Sequence, residues 1–130
     1  MNTIQQFAQN DTFAELLGIE LVDVSEGRAK ARLKISAKHL NGHHTVHGGA
    51  IFTLADFVFA AASNSYGTVA VAINVNISYV NAVTGGTLTA EAREMSRNPK
   101  LATYSIPVTD ERGELVALFQ GMAYRKKTSI

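Results

Sequence analysis

The segment AIFTLADFVFAAA, Ala50 to Ala62, constrains the fold more than any other part of the chain. At helical spacing Ile51, Leu54, Ala55, Val58 and Ala62 make one face, and Phe52 and Phe59 add a second. A helix that is apolar on most of its circumference has to be enclosed by its surroundings. The run is too short to span a bilayer and carries a carboxylate, Asp56, in its middle, so the enclosure has to be protein rather than lipid. His47-Gly48-Gly49 stands just ahead of the run and Gly67 closes it, which predicts a helix over Gly49 to Ser65.

The flanking pattern says what does the enclosing. Thr3 to Leu17 reads as helical, with Asp11 as N-cap of TFAELL and Gly18 as its stop. From Ile19 the period changes to two. IELVDV and RAKARLKIS flank the turn SEGR, and in the second run Ala29, Ala31, Leu33 and Ile35 face one way while Lys30, Arg32 and Lys34 face the other. Residues 37–47 read as loop. After the helix come TVAVAINVNISYV, GTLTAEAREMSR, LATYSIPVT and ELVALFQGMAYRK, connected by NAVTGG, NPK and DERG. The order is α-β-β-α-β-β-β-β. Segregated helix and strand argue an α+β fold: a curved antiparallel sheet around the long helix, its last three strands a meander, with a partner subunit closing what the sheet leaves open. No linker or repeat divides residues 1–130, so a single domain is expected.

Composition removes several function classes. The chain has no cysteine, so disulfides, thiolate metal sites and cysteine nucleophiles are excluded. Its net charge is +1, and only the tail Arg125 to Lys127 hints at a basic stripe, which reads as a solvated end. No nucleic-acid partner is expected. The N-terminus lacks a basic start followed by an apolar stretch, so neither a signal peptide nor a membrane partner is expected, and a cytoplasmic location is. Gly-x-Ser-x-Gly, Gly-x-Gly-x-x-Gly and the P-loop pattern are all absent. His39, His43, His44 and His47 lie close together, but in a loop and without an accompanying glutamate motif, so neither a metal nor another cofactor is expected.

What remains is Asp56 and the glycine pair. Thr53, Asp56, Ala60 and Asn64 form the only less apolar line of the helix. A carboxylate there, with large apolar neighbours, needs partners or a raised pKa, and such groups cluster at working sites. A helix start leaves amide N–H groups unpaired at the positive end of the dipole, and glycine lets a ligand approach them. Gly48-Gly49 can therefore receive an anion or a carbonyl oxygen gaining charge. The eight positions from Gly48 to Asp56 amount to about 12 Å of helical rise, too far for both groups to serve one carbonyl. If they act together they come from two copies of the chain, related by a two-fold axis. Acyl transfer from a thioester suits one carboxylate and one oxyanion donor, because a thiol with a pKa of roughly 8.5 leaves without a strong general acid. The carboxylate can then act as general base or attack directly.

NGHHTVHGGAIFTLAD, with AVAINVNISYVNAVTGGTLTAEA and VALFQGMAYR further on, resembles the hotdog-fold acyl-CoA thioesterases, in particular their PaaI-type branch. The resemblance covers most of the chain. It implies Asp56 as nucleophile or base, the Gly48 amide as the group polarising the thioester carbonyl, Asn41 orienting the thioester or water, and His47 holding the loop. It implies an acyl-CoA substrate, aryl-acetyl or short to medium in its acyl group, and a homodimer at least, commonly paired again into a homotetramer. Related enzymes place a serine or threonine where Ala72 stands. By strict alternation Asn74 and Asn76 come next on that face, and with Gly49, Thr53 and Asn64 they are the candidates to contact substrate or hold water. Arg93, Arg97, Lys100 and Arg125 to Lys127 are candidate phosphate partners for coenzyme A. Two rival readings are a hotdog hydratase or dehydratase, with His47 as its histidine, and a non-catalytic acyl-CoA binding subunit.

Overall fold

The computed structural model describes residues 2–130. The N-terminal segment is two helices, α1 (Thr3–Gln9) and α2 (Thr12–Leu17), rather than one. Asp11 makes the break. It leaves the helical region at φ −77°, ψ 91°, and its carboxylate accepts the Ala14 N–H at 3.0 Å. A residue with extended N-cap backbone starts a helix and cannot also continue one. Gly18 ends α2 in the left-handed region at φ 87°.

Six strands follow in one sheet: β1 (Glu20–Ser25), β2 (Arg28–Lys34), β3 (Thr68–Tyr79), β4 (Thr87–Arg97), β5 (Leu101–Thr109) and β6 (Leu115–Ser129). The spatial order is β1-β2-β4-β5-β6-β3, and every neighbouring pair is antiparallel. β4, β5 and β6 form the expected meander. β2 and β5 bury every second residue, so each offers one apolar face to the interior. The long helix α3 (Gly48–Ser63) lies against that face. Leu33, Leu88, Ile106, Val108 and Phe119 of the sheet and Leu54, Val58 and Phe59 of α3 are among the core residues. Phe59 meets Tyr104 and Phe119 with ring centroids 5.7 Å away in each case. At Gly121 the strand has no side chain, and the Phe59 ring fills the place: a Cβ there would lie 2.8 Å from its tip.

Two further differences from the sequence pattern lie at the ends of elements. The helix starts one residue earlier than expected and ends two earlier, with Asn64 as its C-cap. The last strand runs beyond the expected ELVALFQGMAYRK to Ser129, which pairs with Thr68, and its residues Lys126 and Lys127 are exposed. β3 occupies one edge of the sheet. Val71, Ile73 and Val75 there are 40%, 53% and 36% exposed. No helix among the described residues is long and apolar enough to cross a membrane.

Candidate active site

The start of α3 is organised by His47. Its Nδ1 accepts the Gly49 N–H at 2.8 Å, and its carbonyl accepts the N–H groups of Ala50 and Ile51 at 2.9 and 3.2 Å. The Gly48 N–H is left over: among the described residues it meets no acceptor. Tyr79, at the end of β3, lies over this glycine and donates its hydroxyl to the Gly48 carbonyl at 3.0 Å. A Cβ on residue 48 would lie 3.2 Å from the Tyr79 ring, a tight contact that the ring would have to yield to. Partial burial pushes the Tyr79 pKa up and keeps its hydroxyl a donor.

Beside this amide is a recess of about 340 Å³, lined by Asn41, Thr45, Gly48, Ile51, Tyr79 and Val83 among others. Asn41 is present at the recess but is also the clasp of its loop. Its side-chain oxygen accepts the N–H groups of His43 (2.9 Å) and Thr45 (3.2 Å), and its amide donates to Thr45 Oγ1 at 2.9 Å. Outside that clasp, Leu40 bridges Val46.

Asp56 is half-buried two turns further along α3. No donor among the described residues reaches its carboxylate. Burial raises its pKa, and the negative charge of Asp11 raises it further. α1 and α2 place Asp11 there. Next to it is an apolar recess of about 400 Å³ between α1 and α3, lined by Phe7, Ala8, Asn10, Asp11, Phe57, Ala60 and Ala61.

The structure thus brings Asn41, His47, Gly48 and Gly49 together and leaves Asp56 of the same chain about 12 Å along the helix. Thr53 is tied to α3 itself, its hydroxyl donating to the Gly49 carbonyl at 2.7 Å. Asn64 is 2% exposed and clasps the end of α3 to β3, donating to the carbonyls of Ala60 (2.9 Å) and Ala70 (3.2 Å) and accepting the Ala70 N–H at 2.9 Å. It faces the interior rather than the expected polar line.

The alternation carried along β3 also fails. Ala72 pairs with Ala123, which is buried on the helix side, but Asn74 pairs with Met122, so Ile73 is an extra residue. This β-bulge moves Asn74 and Asn76 to the outer face, beside Gln120. Only Ala72 keeps the side expected of it. Of the candidate phosphate partners, Arg97 stacks 3.9 Å above the Tyr66 ring and Arg125 lies 5.7 Å from it, while Arg93 reaches Glu91 at 4.0 Å. Among the described residues no three histidine, aspartate or glutamate side chains converge on a point that could hold a metal ion. The sequence reading missed Tyr79 and the proximity of Asp11 to Asp56. The missing side chain of Gly48 signalled a close approach, but nothing in the spacing says which residue makes it.

A six-stranded antiparallel sheet around one long helix, whose start borders a recess, defines the hotdog fold. The profile of the thioesterase superfamily matches residues 43–117. Acyl-coenzyme A thioesterase PaaI of Escherichia coli K12 is 38% identical over 118 residues, 90% of this chain and 84% of that protein. The solved structure of the E. coli PaaI protein from the phenylacetic acid degradation operon superposes with a TM-score of 0.93 at 36% identity, covering 97% of this chain and 92% of that one. The TT0310 protein of Thermus thermophilus superposes with a TM-score of 0.86 at 39% identity, over 90% of this chain and 99% of that one. The chain belongs to the thioesterase superfamily, in its PaaI-like hotdog branch, and is a thioester hydrolase.

Proposed function

We propose that this thioester hydrolase cleaves acyl-CoA to the free acid and coenzyme A, with its acyl group aryl-acetyl or short to medium in length. Two chains build each site. The Gly48 N–H of one subunit holds the thioester carbonyl oxygen, and Asp56 of the other acts as base or nucleophile. As base, Asp56 takes a proton from water while the water oxygen bonds to the carbonyl carbon. The tetrahedral oxyanion is held by the Gly48 amide and the positive end of α3. It collapses with cleavage of the C–S bond, and the proton goes to the departing thiolate. As nucleophile, the Asp56 carboxylate would bond to the carbonyl carbon and expel the thiolate as the C–S bond breaks, leaving an anhydride that water then opens to the free acid and the Asp56 carboxylate.

The single observation that carries this reading is the Gly48 N–H, which meets no acceptor among the described residues, at a helix start whose next N–H is already taken by His47. His47 and Asn41 then hold the loop that presents it, with Gly49 beside it. The activity named for E. coli PaaI supports the acyl-CoA substrate, and its phenylacetic acid operon supports an aryl-acetyl group. The exposed edge of β3 supports a homodimer, which we propose pairs again into a homotetramer in the cytoplasm. The group Arg97, Lys100 and Arg125 supplies positive charge for the coenzyme A phosphates.

The test is thiol release from a panel of acyl-CoA thioesters by wild type and Asp56→Asn. Wild type releases thiol, and the variant loses about 10²-fold or more in kcat, the contribution of a positioned general base. Equal rates from the two, or no release by wild type from any member, would overturn the proposal.

A further inference from the structure

The oxyanion amide has a support that the reaction itself does not use. His39 ends a single turn of 3-10 helix, Ala37–His39, and is 3% exposed. Its Nδ1 lies 2.9 Å from the Ser36 N–H, and its Nε2 lies 2.7 Å from the Leu17 carbonyl oxygen. The first partner can only donate and the second can only accept. These two partners fit the tautomer that is bare at Nδ1 and carries its hydrogen at Nε2. Leu17 is the last residue of α2, so its carbonyl is one of those a helix end leaves open. The Lys38 ammonium donates to the carbonyl before it, that of Leu16, at 3.2 Å. The turn thus grips the negative end of α2 from two adjacent residues.

The backbone of His39 faces the other way. Its carbonyl accepts the His47 N–H at 2.7 Å, among the shortest backbone bonds outside the regular elements. His47 is the residue immediately ahead of Gly48, and it caps α3. One buried residue therefore joins the C-terminal end of α2 to the peptide next to the free Gly48 amide. Between them, the loop 40–46 is closed on itself by Asn41 and the Leu40–Val46 bridge, so it transmits position without adding another anchor to the N-terminal helices.

We propose that His39 is a positioning residue for the Gly48 amide: by bonding the Leu17 carbonyl through its ring and the His47 N–H through its backbone, it fixes the height of the oxyanion donor against α2. This rests on the assignment of Gly48 as the oxyanion donor. An amide displaced by a fraction of an ångström still admits the ground-state carbonyl, whose bond to it is weak. It then loses most where charge develops. The effect belongs to kcat rather than KM.

The experiment compares His39→Ala, His39→Gln and His39→Asn as full chains, with two readouts. Gln reaches as far as Nε2 and can donate to the Leu17 carbonyl, whereas Asn reaches only as far as Nδ1 and serves Ser36. The expected kinetics are a fall in kcat of about ten- to a hundredfold for Ala and Asn, the scale of a small misplacement, with KM within about twofold and most of kcat recovered in Gln. The second readout needs no substrate. The backbone amide signals of His47 and Gly48 shift, and His47 exchanges faster with solvent, in Ala and Asn but not in Gln. Equal kcat in wild type and Ala would overturn the proposal. So would loss in Gln and Asn alike, or amide signals of His47 and Gly48 that ignore all three substitutions. A wild type that releases no thiol while the amide signals follow the expected pattern would overturn the assignment of activity and leave the His39 support standing.

Discussion

Asp56 carries two consequences at the scale of one residue. Its pKa is raised because burial and the Asp11 charge both disfavour the carboxylate. A base must be deprotonated, so the acidic limb of kcat/KM should lie above the ordinary carboxylate range. Asp11→Asn removes a negative charge and keeps a good cap for the Ala14 N–H, so α2 stays formed. With less repulsion the Asp56 pKa falls and the limb moves to lower pH. A limb that stays in place in this variant, or moves up, contradicts Asp56 as the titrating base. The second consequence is for stability. Between the ordinary carboxylate range and the raised value, the folded chain holds a proton that the unfolded chain has released, so stability falls as pH rises through that window. Asp56→Asn removes the penalty. Its melting temperature at neutral pH should exceed that of wild type even as activity is lost, and a lower one would mean that the carboxylate is stabilising where it sits.

At the scale of elements, the fit of α3 into the sheet rests on Gly121 and Phe59. Gly121→Ala places a methyl group 2.8 Å from the ring tip, and the ring is enclosed by Tyr104 and Phe119. Overpacking of this kind costs about 1–3 kcal/mol, to be read as a lower denaturation midpoint at unchanged slope. A glycine inside a strand pattern is itself a sign of close approach, yet its partner lies sixty-two positions away and spacing cannot name it. The same limit separates what was legible in the chain from what was not. β2 and β5 could be read because each buries every second residue, and α3 because a continuous apolar run follows a histidine-glycine-glycine start. The side on which Asn74 stands could not, because one extra residue at Ile73 inverts the alternation and no local signal announces a bulge there. Asn64 was placed on the polar line by helical spacing. The helix ends one residue before it, and its amide turns inward to serve β3. The start of α3 at His47 and Gly48 was legible because a histidine-glycine-glycine turn ahead of an apolar run marks a helix start. Asp11 was legible as a cap but not as the neighbour of Asp56, which is a property of how α1 and α2 pack.

At the scale of the whole molecule, β3 is an edge strand without a single charged residue. Edge strands are commonly guarded by lysine, proline or a cover, and the valines and isoleucine exposed here have none of these. A second copy pairing antiparallel along this edge would extend the sheet and lay the two α3 helices side by side in opposite directions. The start of one would then stand opposite the middle of the other, which is what the 12 Å between Gly48 and Asp56 demands of a working pair. Mixing two inactive chains tests this directly. Gly48→Pro removes the amide N–H itself at the first position of α3, where proline is compatible with the helix, and Asp56→Asn removes the carboxylate. In a mixed dimer one site collects both defects and the other collects none. Random pairing of equal amounts makes about half of the dimers mixed, each with one whole site of two, so about a quarter of wild-type activity should return on co-refolding. Were Gly48 and Asp56 of one chain to act on the same substrate, every mixed dimer would carry a defect in each site and the mixture would stay as inactive as its parts.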